Sequence, residues 1–490
     1  MQSQKTNKKR KNIKFNFFWQ VGIEITNMML PLVTSPILAR RLGAEAIGIY
    51  SYINSITYYF IIVALLGIFQ YGTREIAMVR DDPQMLNRRF SELLLGQVIV
   101  GIIVLISFLI YAIFISKYPP LFLIETVNLL GSSMLLINWL FSGLEEFRAI
   151  ALKTMVIRIL GVVLIVCLVK TSVDLPIYFW IMSMEPFLGS LVYIYLAKDK
   201  VKLVPVRLAE TLKHIKGMLL LFVPVLTTYL YSSMDKIMIG KISTMTQLGF
   251  YENATKALIA RNLATALSTV LVPRMANLFG QKNNKKFDDL MKKSLDAVFL
   301  LTVASGFGTA AVSTIFSVVF WGENFWECGK LIFIMSMTIP AYGLTYVINN
   351  QFLVPLKKEN IYIWATAMGV GVNFILNFHM IPRYAALGAA VATLITQYIV
   401  LVVEAIAIRK ELSMLDCIKR NLIYVLFGIL MIIAIRYVDM KLNVSIISLF
   451  IEILVGMFLF LVMCFIYWLI IGEKNYLNLV KNLIYSLKRK

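Results

Sequence analysis

Residues Tyr231 to Tyr251 read YSSMDKIMIGKISTMTQLGFY, a short polar break between two long apolar runs near the middle of a 490-residue chain. The break ends in Leu248-Gly249-Phe250-Tyr251. A similar pattern, Leu42-Gly43 followed by Gly48-Ile49-Tyr50, occurs 201 residues earlier, at the end of the first apolar run. Two apolar segments with Gly-aromatic at the entry to the second, found at corresponding places in both halves, argue for an internal repeat. The stretch also carries Asp235-Lys236 near the end of its first apolar segment, and charges inside an apolar run need a physical reason.

Only 15% of the residues are charged, 59% are hydrophobic and the mean hydropathy is +0.78, whereas a soluble chain carries about a quarter charged residues. This is the composition of a polytopic membrane protein. Cys167, Cys328, Cys417 and Cys464 lie far apart, without a CxxC or His-paired cluster, and read as apolar packing residues. His214 and His379 cannot supply a multi-His site, and a lone histidine at a segment end is usually structural, so no metal or cofactor is expected. The formal charge of +21 is spread in small clusters between apolar runs, not in one stripe with interleaved aromatics, so a nucleic-acid partner is not expected. The apolar stretch from Phe15 to Leu38 is too long for a signal-peptide core and has no small-residue cleavage site, so the first segment is expected to stay attached.

A membrane-spanning helix needs about 20 apolar residues. Fourteen stretches qualify: about 15–38, 46–70, 92–116, 121–142, 150–169, 176–197, 217–239, 248–273, 295–320, 331–354, 361–381, 386–408, 421–436 and 446–471. With the N-terminus inside, and Lys153 and Arg436 counted with their adjoining loops, the inner loops and tails hold 35 Lys and Arg and the outer loops 9. That asymmetry follows the positive-inside rule and puts both termini in the cytoplasm. The expected fold is an all-α bundle: a basic tail at 1–14, an N-lobe of six spans at 15–197, a cytoplasmic linker at 198–216, a C-lobe of six spans at 217–408, and two further spans within 421–471. Residues 473–490 place Leu477, Val480, Leu483, Ile484 and Leu487 at helical spacing beside Lys481, Lys488, Arg489 and Lys490, the pattern of an interfacial amphipathic helix. Loops this short leave no room for an extramembrane catalytic domain, so any chemistry belongs to the bundle and the chain is not expected to be an enzyme.

Three ionisable residues fall near mid-span: Glu24, Glu185 and Arg261. A charge there costs about 2.5 to 3.5 kcal/mol on insertion scales, so each should face another charge, a polar cavity or a ligand. On a helical wheel of 248–273, Asn253, Ala254, Ala257, Arg261, Ala264, Thr265 and Ser268 share about one third of the circumference. Such a stripe suits a cavity lining, and small residues at this spacing also suit close helix packing. Lys256 lies at its edge, able either to extend the positive surface or to snorkel. Arg158, near the inner end of its span, can reach headgroups or a substrate phosphate. In the first span Glu24, Asn27 and Pro31 follow at i, i+3 and i+7, a polar face leading to an expected kink, with Pro36 beyond it. Pro224 holds a comparable place in the first span of the second half, as gating helices of repeat-built transporters do. Asp235-Lys236, close to the outer boundary, suits a local ion pair at a cavity rim or a ligand contact.

Several stretches together resemble the polysaccharide flippases of the Wzx type, a branch of the multidrug/oligosaccharidyl-lipid/polysaccharide exporter superfamily. They are Leu38-Ala39-Arg40-Arg41-Leu42-Gly43 with Gly48-Ile49-Tyr50; Gly72-Thr73-Arg74-Glu75-Ile76-Ala77; Trp139-Leu140-Phe141-Ser142-Gly143-Leu144-Glu145-Glu146-Phe147; Asp235-Lys236 with Ile239-Gly240 and Gly249-Phe250-Tyr251; Val272-Pro273-Arg274; and Asn373-Phe374-Ile375-Leu376-Asn377, then Ile381-Pro382 and Gly388-Ala389-Ala390. The resemblance covers the first twelve spans. It implies two lobes around a cavity that opens alternately to each side of a bacterial cytoplasmic membrane, carrying an undecaprenyl-pyrophosphate-linked oligosaccharide, alongside other polysaccharide assembly proteins. Arg261, Lys256 and Arg158 are then phosphate candidates, and Glu24 or Glu185 a site for a coupling cation. Related peptidoglycan-precursor flippases carry several arginines in the first two spans, where this chain has Glu24. A cation-coupled multidrug antiporter of the same superfamily is the alternative, and the cationic residues of the 248–273 span count against it.

Overall fold

The computed structural model describes residues 2–281 and 283–472, with side chains described except at 2–28, 147–153, 223, 224, 227, 228, 231, 232, 263, 264, 266 and 267. The side chains of the 1–14 tail, Glu24, Asn27 and Pro224, and the 473–490 segment, fall outside the described residues. All regular structure among the described residues is helical. In a bilayer, backbone groups must be satisfied within the segment, and runs of Leu, Ile, Val and Phe then have no alternative to the helix. Nine helical stretches among the described residues are long and apolar enough to cross a membrane, so the protein is a multi-pass membrane protein.

Two long helices contain a single non-helical residue each. In α1 (Gln2–Leu65) it is Gly43, at φ 80 and ψ 172, the glycine of the first repeat motif, in a backbone region open to residues without a Cβ. The helix continues through Pro31 and Pro36, so the break falls at the glycine and not at the prolines. In the helix Glu359–Ala407 it is Ala385, at φ 49 and ψ −131. Both breaks lie between consecutive expected spans.

The chain divides into two compact units, 1–249 and 250–490. The first holds α1, α2 (Ile68–Val79), α3 (Pro83–Ile110), α4 (Pro119–Leu129), α5 (Asn138–Gly143), α6 (Phe147–Leu168), α7 (Leu175–Ala197), α8 (Leu208–Ile242) and the start of α9 (Met245–Ala257). Helix α8 seats on α1, α2 and α3. The boundary between these two units falls just after the central break. The motifs at 72–77 and 139–147 meet in this unit. An added Cβ at Gly72 would lie 3.0 Å from the Trp139 ring, and one at Gly143 would lie 2.7 Å from Ile76. Trp139 is fully buried. Its Nε1 donates to Gln97 Oε1 at 3.0 Å, while Gln97 Nε2 donates to the Leu136 carbonyl at 3.0 Å and to that of Ser133. Trp139→Phe leaves Gln97 Oε1 buried without a donor and is expected to cost about 1 to 3 kcal/mol, read as a lower thermal midpoint in detergent. Arg41 donates to the carbonyls of Val166 and Val169 at 2.6 and 2.7 Å, tying up groups that the end of α6 cannot satisfy internally.

Repeat-related glycines meet each other within the same unit. A Cβ at Gly48 would stand 1.8 Å from the Met245 carbonyl oxygen, and one at Gly249 would stand 1.8 Å from that of Ala44. Met245 and Gly249 lie 201 residues after Ala44 and Gly48, so the contact is reciprocal under the repeat. Backbone touches backbone here, as small residues permit in membrane helices.

The second unit holds the rest of α9, α10 (Asn262–Gly280), α11 (Asn284–Ala311), α12 (Ser313–Trp321), α13 (Glu327–Ser336), α14 (Thr338–Val347), α15 (Glu359–Ala407), α16 (Met414–Asp439) and α17 (Ile446–Ile471). Helix α11 packs on α10, α14 and α16. Met291, Val298, Leu344, Leu401, Met431 and Cys464 share one buried cluster. The last two helices therefore belong to this unit's core, pinned by Trp468 Nε1 donating to Tyr424 Oη at 2.9 Å and by Arg420 pairing with Asp296 at 3.0 Å.

Candidate functional site

Helix α9 is followed by a tight 3-10 turn, Leu258–Arg261, before α10 continues to Gly280. A 3-10 turn advances 120° per residue where an α-helix advances 100°, so four such residues rotate everything downstream by about 80°. The single stripe expected from the wheel is thereby divided. Asn253 and Ala254 are buried, and so is Ser268, whose Oγ accepts from Gln351 Nε2 at 2.9 Å. These positions serve packing. Arg261, at the end of the turn, is exposed.

The Arg261 guanidinium lies over the Tyr342 ring, 5.3 Å from its centroid. Tyr342 neighbours Tyr346, with centroids 6.2 Å apart, and Tyr346 Oη lies 3.5 Å from Thr269 Oγ1. Thr269 and Thr265 donate back to the carbonyls of Thr265 and Asn262 at 2.7 and 2.9 Å. A strip of guanidinium, phenol rings and hydroxyls thus runs between α10 and α14. No carboxylate lies within ion-pair reach of Arg261 among the described residues. A cation at mid-span that is both exposed and without a counter-ion is stable only against water or a bound anion. Cation-π contact holds the guanidinium in place without neutralising it.

The other two phosphate candidates have carboxylate partners. Lys256 lies 3.6 Å from Glu252 and donates to Asn253 Oδ1 at 3.4 Å, leaving Asn253 Nδ2 buried without an acceptor. Arg158 pairs with Glu185 at 3.1 Å, joining α6 to α7. Two charges that are costly in isolation are therefore placed against each other, the arrangement open to Glu185 from sequence alone. Asp235 is buried, within electrostatic range of Tyr59, and Lys236 is half-buried on the same turn of α8. Pro31 is exposed on α1.

A second polar group lies in the first unit. His214 on α8 is buried, with Tyr71 Oη 2.9 Å from Nδ1. Its Nε2 is 3.1 Å from Glu92 Oε2 and 2.9 Å from Arg89 Nη1. A proton on Nε2 favours Glu92, and its absence favours Arg89. Arg88 joins Glu92 at 3.1 Å to Glu210 at 2.6 Å, and its hydrogen bond holds the Glu210 carboxyl below the usual range. This knot ties α2, α3 and α8 together, a structural role matching the expectation for a lone histidine. Glu92→Ala removes the carboxylate shared by His214 and Arg88 while leaving Arg89 with Glu75 at 3.4 Å, and is expected to cost about 1 to 3 kcal/mol, measured by thermal unfolding. Glu92→Gln, which keeps an acceptor, should lose less. Sequence reasoning missed this group because its members come from three helices; the one visible signal was a carboxylate at the start of the third span.

No group of three metal-ligating side chains occurs among the described residues. Comparison with known proteins agrees with the fold. An O-antigen transporter, so named, from Shigella dysenteriae is 21% identical over 80% of this chain and 98% of its own length. Among solved structures, the lipid II flippase MurJ in an inward closed conformation superposes with a TM-score of 0.73, at 17% identity over 92% of this chain and 99% of that one. An inward-facing multidrug resistance transporter of the MATE family gives 0.56, at 15% identity over 86% and 99%. The family model described as polysaccharide biosynthesis protein matches residues 13–279, more than half of the 490, and the chain belongs to that family.

Proposed function

We propose that the protein is a flippase that moves an undecaprenyl-pyrophosphate-linked oligosaccharide repeat unit across the cytoplasmic membrane by alternating access, for surface polysaccharide biosynthesis, with both termini in the cytoplasm. The observation that carries the reading is Arg261: an exposed guanidinium at mid-span, stacked on Tyr342 and lacking a carboxylate partner among the described residues. A pyrophosphate needs cationic donors, and guanidinium meets phosphate oxygens in bidentate geometry. Phenol rings and threonine hydroxyls beside it suit sugar faces and sugar hydroxyls. The lipid chain can remain in the bilayer. Family membership supports the polysaccharide side of the reading, and the relative named as an O-antigen transporter supports the transport side.

In this scheme Lys256 and Arg158 add positive potential while held by Glu252 and Glu185, Thr265 flanks the phosphate site, and Glu24 and Asn27 supply polar groups from the first span. Pro31, Pro224, Asp235 and Lys236 belong to the gate. Geranylgeranyl- or undecaprenyl-pyrophosphate in nanodiscs is expected to raise the thermal midpoint of the wild type, and the corresponding lipid alcohols are not. Equal stabilisation by alcohol and pyrophosphate would remove the phosphate site from the reading.

A further inference from the structure

Glu404 lies on the inner-end turn of α15, continuing the face of Gln397, Val400 and Leu401 that packs on α13, α14 and the π-helical turn Ile348–Leu353. Its side chain is fully buried, and both carboxyl oxygens lack a hydrogen-bond donor among the described residues. The Asn349 side chain on the π-helical turn is set against it, yet Asn349 Oδ1 is also buried without a donor. The carboxyl and the Asn349 amide are thus neighbours, each with an acceptor oxygen unsatisfied among the described residues. An ionised carboxylate buried here is costly, with the Asn349 amide beside it and no counter-charge. One proton on the carboxyl removes the charge and supplies an O–H that Asn349 Oδ1 can accept, satisfying both groups.

The surroundings offer no other neutralising partner. On α14, Tyr342 turns to Arg261 and Tyr346 to Thr269. On α13, Lys330 and Glu327 stand at the far end, about 28 and 33 Å along the helical rod from Asn349 at 1.5 Å per residue. Beyond α15, Arg409 and Lys410 are exposed, and Lys358 and Glu411 pair with each other. π-helical turns within α-helices occur frequently at functional sites, and an ionisable residue inside a membrane helix is a functional candidate in its own right.

We propose that Glu404 is a proton-binding site, protonated in this conformation with its O–H donating to Asn349 Oδ1. Under the flippase reading, on which this clause rests, loading and release of that proton is the coupling step. Infrared pH-difference spectra of the full-length protein in nanodiscs decide proton occupancy without transport. The wild type should show a protonated-carboxyl C=O band that Glu404→Gln lacks, with the two proteins melting at the same temperature because glutamine mimics the neutral acid. Identical carboxyl bands in both would overturn the proposal. If Glu404→Gln does not fold, Glu404→Asp is expected to shift the band, and an unshifted band overturns the proposal equally. In proteoliposomes carrying lipid-linked oligosaccharide, an imposed pH gradient should accelerate the wild type several-fold and leave Glu404→Gln unaffected; equal acceleration of both removes Glu404 from coupling. A wild type that moves no lipid-linked glycan would count against the flippase reading alone, and the infrared result would stand.

Discussion

Arg261→Ala is expected to slow transport of a pyrophosphate-linked substrate by about 10- to 100-fold while leaving the protein folded. A charge-assisted hydrogen bond contributes about 1.5 to 3 kcal/mol, and each 1.4 kcal/mol is a factor of ten in rate. The fold should not depend on this side chain, because Arg261 is exposed and its contact is the Tyr342 face, worth about 0.5 to 1 kcal/mol at an exposed site. Arg261→Lys keeps the charge and loses the planar fork, so an intermediate loss is expected. Glycan exposure in proteoliposomes, normalised to monodisperse protein by size exclusion, separates transport from folding. Wild-type rates in Arg261→Ala would place the phosphate elsewhere, with Lys256 and Arg158 next in line.

The second large effect is structural. Gly249→Val, or Gly48→Val, is expected to destabilise the protein by about 3 kcal/mol or more, because the first added carbon already falls 1.8 Å from a carbonyl oxygen. Main-chain atoms cannot rotate away as a flexible side chain can. Gly371→Ala is the control: nothing lies within 4 Å of its added Cβ, and helix propensity favours alanine by about 1 kcal/mol. Midpoints from thermal unfolding in detergent should therefore move in opposite directions. A neutral Gly249→Val would mean that the repeat-related backbones do not touch.

These outcomes mark what was legible in the sequence. Helices and membrane class could be read because the bilayer imposes one solution on an apolar run; Gly43 stands where the backbone breaks, and Gly48 and Gly249, 201 residues apart, stand where backbones touch. The division of the stripe in 248–273 could not be read. Nothing in Leu258–Arg261 signals a 3-10 turn, yet that turn puts Ser268 against Gln351 and leaves Arg261 exposed. Pairings across helices were hidden for a related reason: Arg158 with Glu185, and His214 with Glu92 and Tyr71, depend on which faces meet after packing. Tyr342 and Tyr346, spaced four apart, were the available clue to the aromatic side of the site. Glu404 was read as part of an apolar span, because one carboxylate among Leu, Val and Ile barely alters a hydropathy window.

The flippase reading stands or falls on lipid-linked oligosaccharide placed in the inner-facing leaflet of proteoliposomes and followed by its accessibility to an external glycosidase. The expected result is exposure on the outer side that depends on the protein and on Arg261. No exposure of any lipid-linked glycan, together with proton-driven efflux of a cationic dye, would contradict the flippase reading and make the protein a multidrug antiporter.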